Sequence, residues 1–186
     1  MFKIDKNKTN IYKRKMIKDI GNFNNTNDYL PILSAVIITD MIWIILSNTN
    51  IIKSKSLKNW YNTFNLSAVI ADVLIIVLGL ILTRYLYYKI FKEFSIIKFV
   101  ILAVILQITH DILFYIMITL IPKGSNRMID VFKEYANEVS YYAIIGDSLM
   151  MIISSLLAYY FVNLDFNTNI IILIIVIYLL PYMIYK

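Results

Sequence analysis

The sequence predicts an all-α, polytopic transmembrane helix bundle of about five spans, accompanied by interfacial amphipathic helices, and three observations carry that prediction. Hydrophobic residues make up 60% of the 186-residue chain and charged residues only 16%, with a mean hydropathy of +0.69, a balance that no ordinary soluble domain of this size shows. Five apolar runs, at about 30–47, 63–83, 99–121, 140–162 and 169–185, are each long enough, or nearly so, for roughly 30 Å of hydrocarbon at about 1.5 Å per residue. A spanning segment must satisfy its own backbone hydrogen bonds, and the chain lacks the repeated short alternating strands of a barrel, so the spans are expected to be helices. The organisation is then a basic tail, 1–29, and a single transmembrane domain, 30–186.

The tail carries Lys3, Lys6, Lys8, Lys13, Arg14, Lys15 and Lys18 against Asp5, Asp19 and Asp28. No apolar stretch precedes residue 30, so a cleavable signal peptide is not expected. Ile11, Tyr12, Met16, Ile17 and Ile20 fall on one side of a helix with basic residues opposite, the pattern of a helix lying on an anionic membrane face. A tail that only enforces topology explains the same charges. With the N-terminus inside, eleven of the 18 Lys and Arg are cytosolic: the seven of the tail with Arg84, Lys89, Lys92 and Lys98. Lys53, Lys55, Lys58, Lys123, Arg127, Lys133 and Lys186 fall on the other side. The positive-inside rule therefore favours a cytosolic N-terminus.

Between the third and fourth spans, Pro122 to Asn126 makes a turn and Arg127 to Val139 reads as an amphipathic helix, with Met128, Ile129, Phe132, Tyr135, Ala136 and Val139 on its apolar side. It is either a lid or docking surface, or a connector floating on headgroups. The clusters Trp60-Tyr61, Tyr85 with Tyr87 and Tyr88, and Tyr159-Tyr160 read as interfacial aromatic belts. Cysteine is absent, which removes disulfides, thiolate nucleophiles and Cys-based metal sites. Neither a glycine-rich phosphate loop nor a doubled-histidine metal motif is present, and no cofactor is expected.

Four acids interrupt the spans, one in each of the first four: Asp40, Asp72, Asp111 and Asp147. Insertion scales charge roughly 2.5–3.5 kcal/mol for such a residue near a helix centre, so it is normally paired, solvated in a cavity, or functional. Measured from the non-cytosolic end of each predicted span, all four lie about 10–15 Å deep. They form one layer. Gln107 and His110 belong to it, Trp43 and Ser47 share a face with Asp40, and Met151 and Ser154 share one with Asp147. A local pattern precedes the acids, Leu33-Ser34-Ala35-Val36-Ile37 before Asp40 and Leu66-Ser67-Ala68-Val69-Ile70 before Asp72, with a weaker version, Ala143-Ile144-Ile145-Gly146, before Asp147. In so Ile-rich a chain, with consecutive spans antiparallel, chance explains such matches.

Three uses of the polar cluster Asp40, Asp72, Gln107, His110, Asp111 and Asp147 follow. The acids specify how helices pack, bonded across the bundle to Trp, Tyr, Ser or Gln. Alternatively, carboxyls and an imidazole share one cavity, as a small proton or cation transporter or channel requires, although the Gly/Pro-broken helix pairs of many transporters are missing. The third use is a metal-dependent membrane enzyme with His110 and the acids as hard ligands; with a single histidine in the chain, no metal is assigned. The expectation is a non-enzymatic membrane component. Its partners are the lipid bilayer and, through the basic tail, anionic lipid, with no nucleic acid.

The run Gln107-Ile108-Thr109-His110-Asp111-Ile112-Leu113-Phe114-Tyr115, Pro122, the stretch Ile129 to Ala136 and Gly146-Asp147-Ser148-Leu149-Met150-Met151 resemble uncharacterised multi-pass membrane proteins of large DNA viruses that infect algae and protists. The similar part is 99–158. A fainter likeness, through Asp40-Met41-Ile42-Trp43, is to a small four-helix bacterial membrane family whose first helix carries Asp-x-x-Trp. Neither resemblance implies an active site. The viral one implies a place, the internal virion membrane or the host endomembrane from which it is made, and a viral membrane or capsid partner.

Overall fold

The computed structural model describes residues 18–185, and every regular element among them is helical: α1 (Tyr29–Asn48), α2 (Lys55–Phe64), α3 (Leu66–Ile90), α4 (Ile96–Leu120), α5 (Arg127–Val139), α6 (Tyr142–Phe161) and α7 (Phe166–Ile184). Five of them, α1 with the 3-10 turn before it, α3, α4, α6 and α7, are long and apolar enough to cross a membrane. The predicted amphipathic helix after the third span is α5, with the bounds read from the sequence. The apolar face expected at Ile11 to Ile17 lies outside the described residues.

Local chemistry explains the helix starts. Ser54 accepts from the Leu57 amide to begin α2, Asn126 accepts from Met128 and Ile129 to begin α5, and Asp165 accepts from Thr168 to begin α7. The segment 48–62, expected as a loop, therefore contains a helix. Its apolar positions Leu57, Trp60, Tyr61 and Phe64 recur at helical spacing.

The spans α1, α3, α4 and α6 form a closed ring, in which α1 packs on α3 and α6, and α4 packs on the same two helices. The seventh helix, α7, lies outside the ring against α1. At one end, where α1 and α4 finish and α3 and α6 begin, α2 and α5 pack on each other and on the ring.

This arrangement is one three-helix unit used twice. Each of α1–α2–α3 and α4–α5–α6 is a long apolar helix, an amphipathic helix, a corner of one or two residues and a second long apolar helix. The corners are Asn65 (φ 46°, ψ −122°) and Ser140 (φ 52°, ψ −129°), the same sparsely populated conformation in both. Aligned on them, Ala68-Val69-Ile70-Ala71-Asp72 matches Ala143-Ile144-Ile145-Gly146-Asp147. Exchanging α1 with α4, α2 with α5 and α3 with α6 maps every helix contact of the ring and its cover onto another that is present. The match before Asp72 and Asp147 thus belongs to a repeat of three helices, in the parallel sense, whereas the match of Leu33–Ile37 with Leu66–Ile70 joins α1 to α3 and lies outside it.

At the other end of the ring, residues 18–28 are folded onto the bundle rather than extending from it. Arg84, expected to be a topology-setting charge beyond the second span, is 1% exposed, and α3 continues past it to Ile90. Its Nε donates to the Ile20 carbonyl at 2.8 Å, and its Nη2 reaches the carbonyls of Asn22 (2.5 Å) and Asn25 (2.8 Å) and the Asp28 carboxylate (3.0 Å). Beside it Tyr87, also predicted to lie in an aromatic belt, is fully buried, bonded to the backbone of Glu93 and Ser95. The expected boundary between tail and bundle at residue 29 is accordingly displaced toward residue 18.

Removing the guanidinium strands a buried carboxylate and three carbonyls. Arg84→Ala should therefore lower the unfolding free energy in detergent by about 3–5 kcal/mol. Arg84→Lys should recover little, because an ammonium cannot reproduce the planar fork; full rescue by lysine would refute this account of the contact.

Candidate functional site

Each ring helix brings one aspartate to the end covered by α2 and α5. Asp147 lies five residues from its helix end and Asp111 nine, with Asp72 and Asp40 between, so the four stand about 7–14 Å below the rim.

The first repeat gives each of its acids one donor from α2, while Asp40 Oδ2 stays without a partner. The Tyr61 hydroxyl donates to Asp40 Oδ1 at 2.9 Å, and the Trp60 indole N–H donates to Asp72 Oδ2 at 2.9 Å. Burial, followed by the carboxyls of Asp40 and Asp72, pushes the Tyr61 phenol well above its ordinary value, which keeps it a donor. Trp60 and Tyr61 are 4% and 5% exposed, so they are not an interfacial belt. Donors able to reach a buried carboxyl gain more there than at a headgroup surface.

The second repeat leaves its acids open. Asp111 Oδ1 accepts from Gln107 Nε2 at 2.7 Å, one turn back on its own helix, and lies 3.2 Å from His110 Nδ1, while Oδ2 has no partner. His110 itself stacks on Phe114 (5.7 Å between centroids). No described residue hydrogen-bonds to Asp147. Trp43, about nine-tenths buried, runs alongside Gly146 and also has no acceptor for its indole N–H. Ser47 and Ser154, expected beside the acids, are buried with unpartnered hydroxyls. Met151 fills the space over Gly79, where an added Cβ would lie 2.9 Å from its Cε.

The difference comes from two positions of the cover. Counted back from the corners, Trp60 corresponds to Tyr135 and Tyr61 to Ala136. Burial and the adjoining Asp147 carboxyl push the Tyr135 phenol above its ordinary value, so it remains a donor above that acid. Ala136 has no donor to offer Asp111 and no ring to fill the space. What remains is a chamber of about 640 Å³, lined by Asp72, Gln107, His110, Asp111 and Asp147 together with apolar and aromatic groups. Five of the six expected polar residues therefore share one cavity, and Asp40 stands behind Tyr61.

The roof is α2 against α5. Trp60 packs on Phe132 (4.5 Å), which meets Phe114 edge-on (5.1 Å). Glu138 grips the start of α2, accepting from the amides of Lys55 and Ser56, both at 2.7 Å, where a helix N-terminus favours negative charge. Thus α5 is a packed cover and not a connector floating free. Beneath the acids the ring is closed by Leu80, Phe99, Ala103 and Met151, all fully buried. Among the described residues no three His, Asp or Glu side chains are grouped so as to hold a metal ion. No protein-family model, curated protein or solved structure matches the chain.

Tyr61→Phe should destabilise the protein by about 1–3 kcal/mol, because Asp40 loses its single donor. Combining it with Asp40→Leu should restore part of that loss in a thermal-unfolding cycle, and additive effects would show that the contact is not what holds the cover. Burial pushes Glu138 up, but its hydrogen bonds to Ser56 and Lys55 prevail and hold the carboxyl below its ordinary 4.5. The grip is therefore complete above about pH 4.5 and is lost as pH falls through the lowered value. Hydrogen exchange at the Lys55 and Ser56 amides should accelerate, beyond the intrinsic rate, only in that acidic range.

Proposed function

We propose that the chain is a five-span integral membrane protein with a cytosolic N-terminus, acting without catalysis as an intramembrane receptor for a positively charged group. The observation that supports this reading best is the division of labour among the acids. Asp40 and Asp72 each take a donor from the cover, so their role is packing, whereas Asp111, whose donor is Gln107 of its own helix, and Asp147, which accepts no hydrogen bond from a described residue, line the chamber without one from the cover. Packing alone does not require the second pair. A chamber of several hundred Å³ with convergent polar groups is the usual form of a ligand site.

A proton or cation transporter is the second reading, favoured by a chamber that lies between two repeats, where transporters place their substrate. Against a channel stands the packed interior beneath Gln107. The likeness over 99–158 supports residence in the internal membrane of a large DNA virus or in the host membrane that supplies it, which probing purified particles and infected-cell membranes with an antibody decides.

Because the chain has no cysteine, single cysteines report topology directly. Ser125→Cys should react with an impermeant maleimide from the non-cytosolic side and Lys92→Cys should not; the reverse labelling would invert the orientation. Purified protein in a planar bilayer should carry no cation current, and a current abolished by Asp111→Asn would replace the receptor with a channel.

A further inference from the structure

The chamber identifies the kind of positively charged group. Its polar groups are confined to one layer, and the rest of its wall is apolar or aromatic, including Ile75, Ile76, Ile112, Phe114 and Phe132. An inorganic cation needs several oxygen ligands at close range, and the acids are not grouped that way. The volume, about 640 Å³, is that of a drug-sized or lipid-sized organic molecule.

The exposed part of the wall shows where such a molecule enters. Ile112 and Tyr115 on α4 and Tyr141 just before α6 line the chamber and are 49%, 53% and 59% exposed. All three are apolar or aromatic, and they stand on the flanks of two spans, so the mouth opens sideways between α4 and the start of α6 and not through the roof. A ligand that arrives by this route comes out of the bilayer.

The first repeat shows what the ligand replaces. There an aromatic ring fills the space and its hydroxyl donates to the acid of the first span; in the second, the corresponding position is Ala136, and the only donor to Asp111 besides its neighbour His110 is Gln107 of its own helix. The unused Trp43 indole and the partnerless Asp147 border the same space. We propose that the chamber binds one cationic amphiphile, a protonated amine on an apolar body, with the ammonium donating to Asp111 and Asp147 in the place a second Tyr61 would occupy and the apolar part reaching the gap between α4 and α6. This rests on the receptor reading above and narrows it to a ligand class.

Both tryptophans of the chain, Trp43 and Trp60, line the chamber, so intrinsic fluorescence reads occupancy. Protein in nanodiscs of uncharged lipid is titrated with dodecylamine, with dodecanol and with methylammonium. A saturable emission change is expected for dodecylamine, at least tenfold weaker for dodecanol and absent for methylammonium. Asp111→Asn with Asp147→Asn should weaken dodecylamine by tenfold or more. Ala136→Tyr should abolish the response and raise the melting temperature, because it restores the missing ring and hydroxyl; its folding is verified by that melt. Ala143→Phe, which fills the chamber without removing an acid, should also abolish binding. Equal responses to dodecanol and dodecylamine, or binding unaffected by Ala136→Tyr and Ala143→Phe, overturn the proposal. Saturable methylammonium binding without a preference for dodecylamine overturns the amphiphile while leaving the receptor reading standing. No saturable response to any of the three overturns both.

Discussion

A carboxyl buried among long apolar helices is costly without a donor, and much of this architecture is a means of supplying one. Spans made of Ile, Leu and Val carry few donors, and a helical backbone has none to spare. Asp111 finds one in Gln107 of its own helix, and the donors for Asp72 and Asp40 come from α2, which folds back over the ring to place Trp60 and Tyr61 against them. The capped start of α2, the corner at Asn65 and the clasp by Glu138 all serve that placement. The opposite end obeys the same rule with inverted charge, since a buried guanidinium is met by carbonyls and one carboxylate from residues 20–28.

How much was legible in the sequence depended on whether a residue's neighbours lie close in the chain. Spans and the amphipathic helix α5 are periodic and local, so hydropathy and spacing locate them. The depth of the acids could be read as well, because rise per residue converts position into height. Arg84, Trp60 and Tyr61 were misread because the same residues are common at membrane interfaces, and only the fold reveals a partner 56 residues away for Arg84. The α2 helix had a usable signal in Ser54 and in the spacing of its apolar side chains, obscured by the expectation that a segment between spans is a loop. The duplication escaped notice because it was sought helix by helix, whereas it is preserved in element order and in two corners that most side chains disfavour.

The repeat also explains how a packing device and an open site coexist in one small protein. Both halves place acids at the same height, but a tyrosine in one becomes an alanine in the other. The first half thereby has its space filled and each acid bonded once, and the second has a cavity lined by Asp111 and Asp147. Such asymmetry within a symmetric frame lets the stabilising half tolerate a strained, solvated or ligand-dependent half beside it.

The helix with no counterpart in the repeat carries a mechanical consequence. Because α7 lies along α1, α1 has neighbours on most of its circumference, whereas α4, its equivalent, leaves Ile97, Ile101, Ile105 and Ile116 half or more exposed among the described residues. One half of the frame is thus braced by an extra helix and the other is not. A part added outside the symmetry therefore distinguishes two otherwise equivalent flanks, and the exposed wall of the chamber, at Ile112, Tyr115 and Tyr141, lies on the unbraced one.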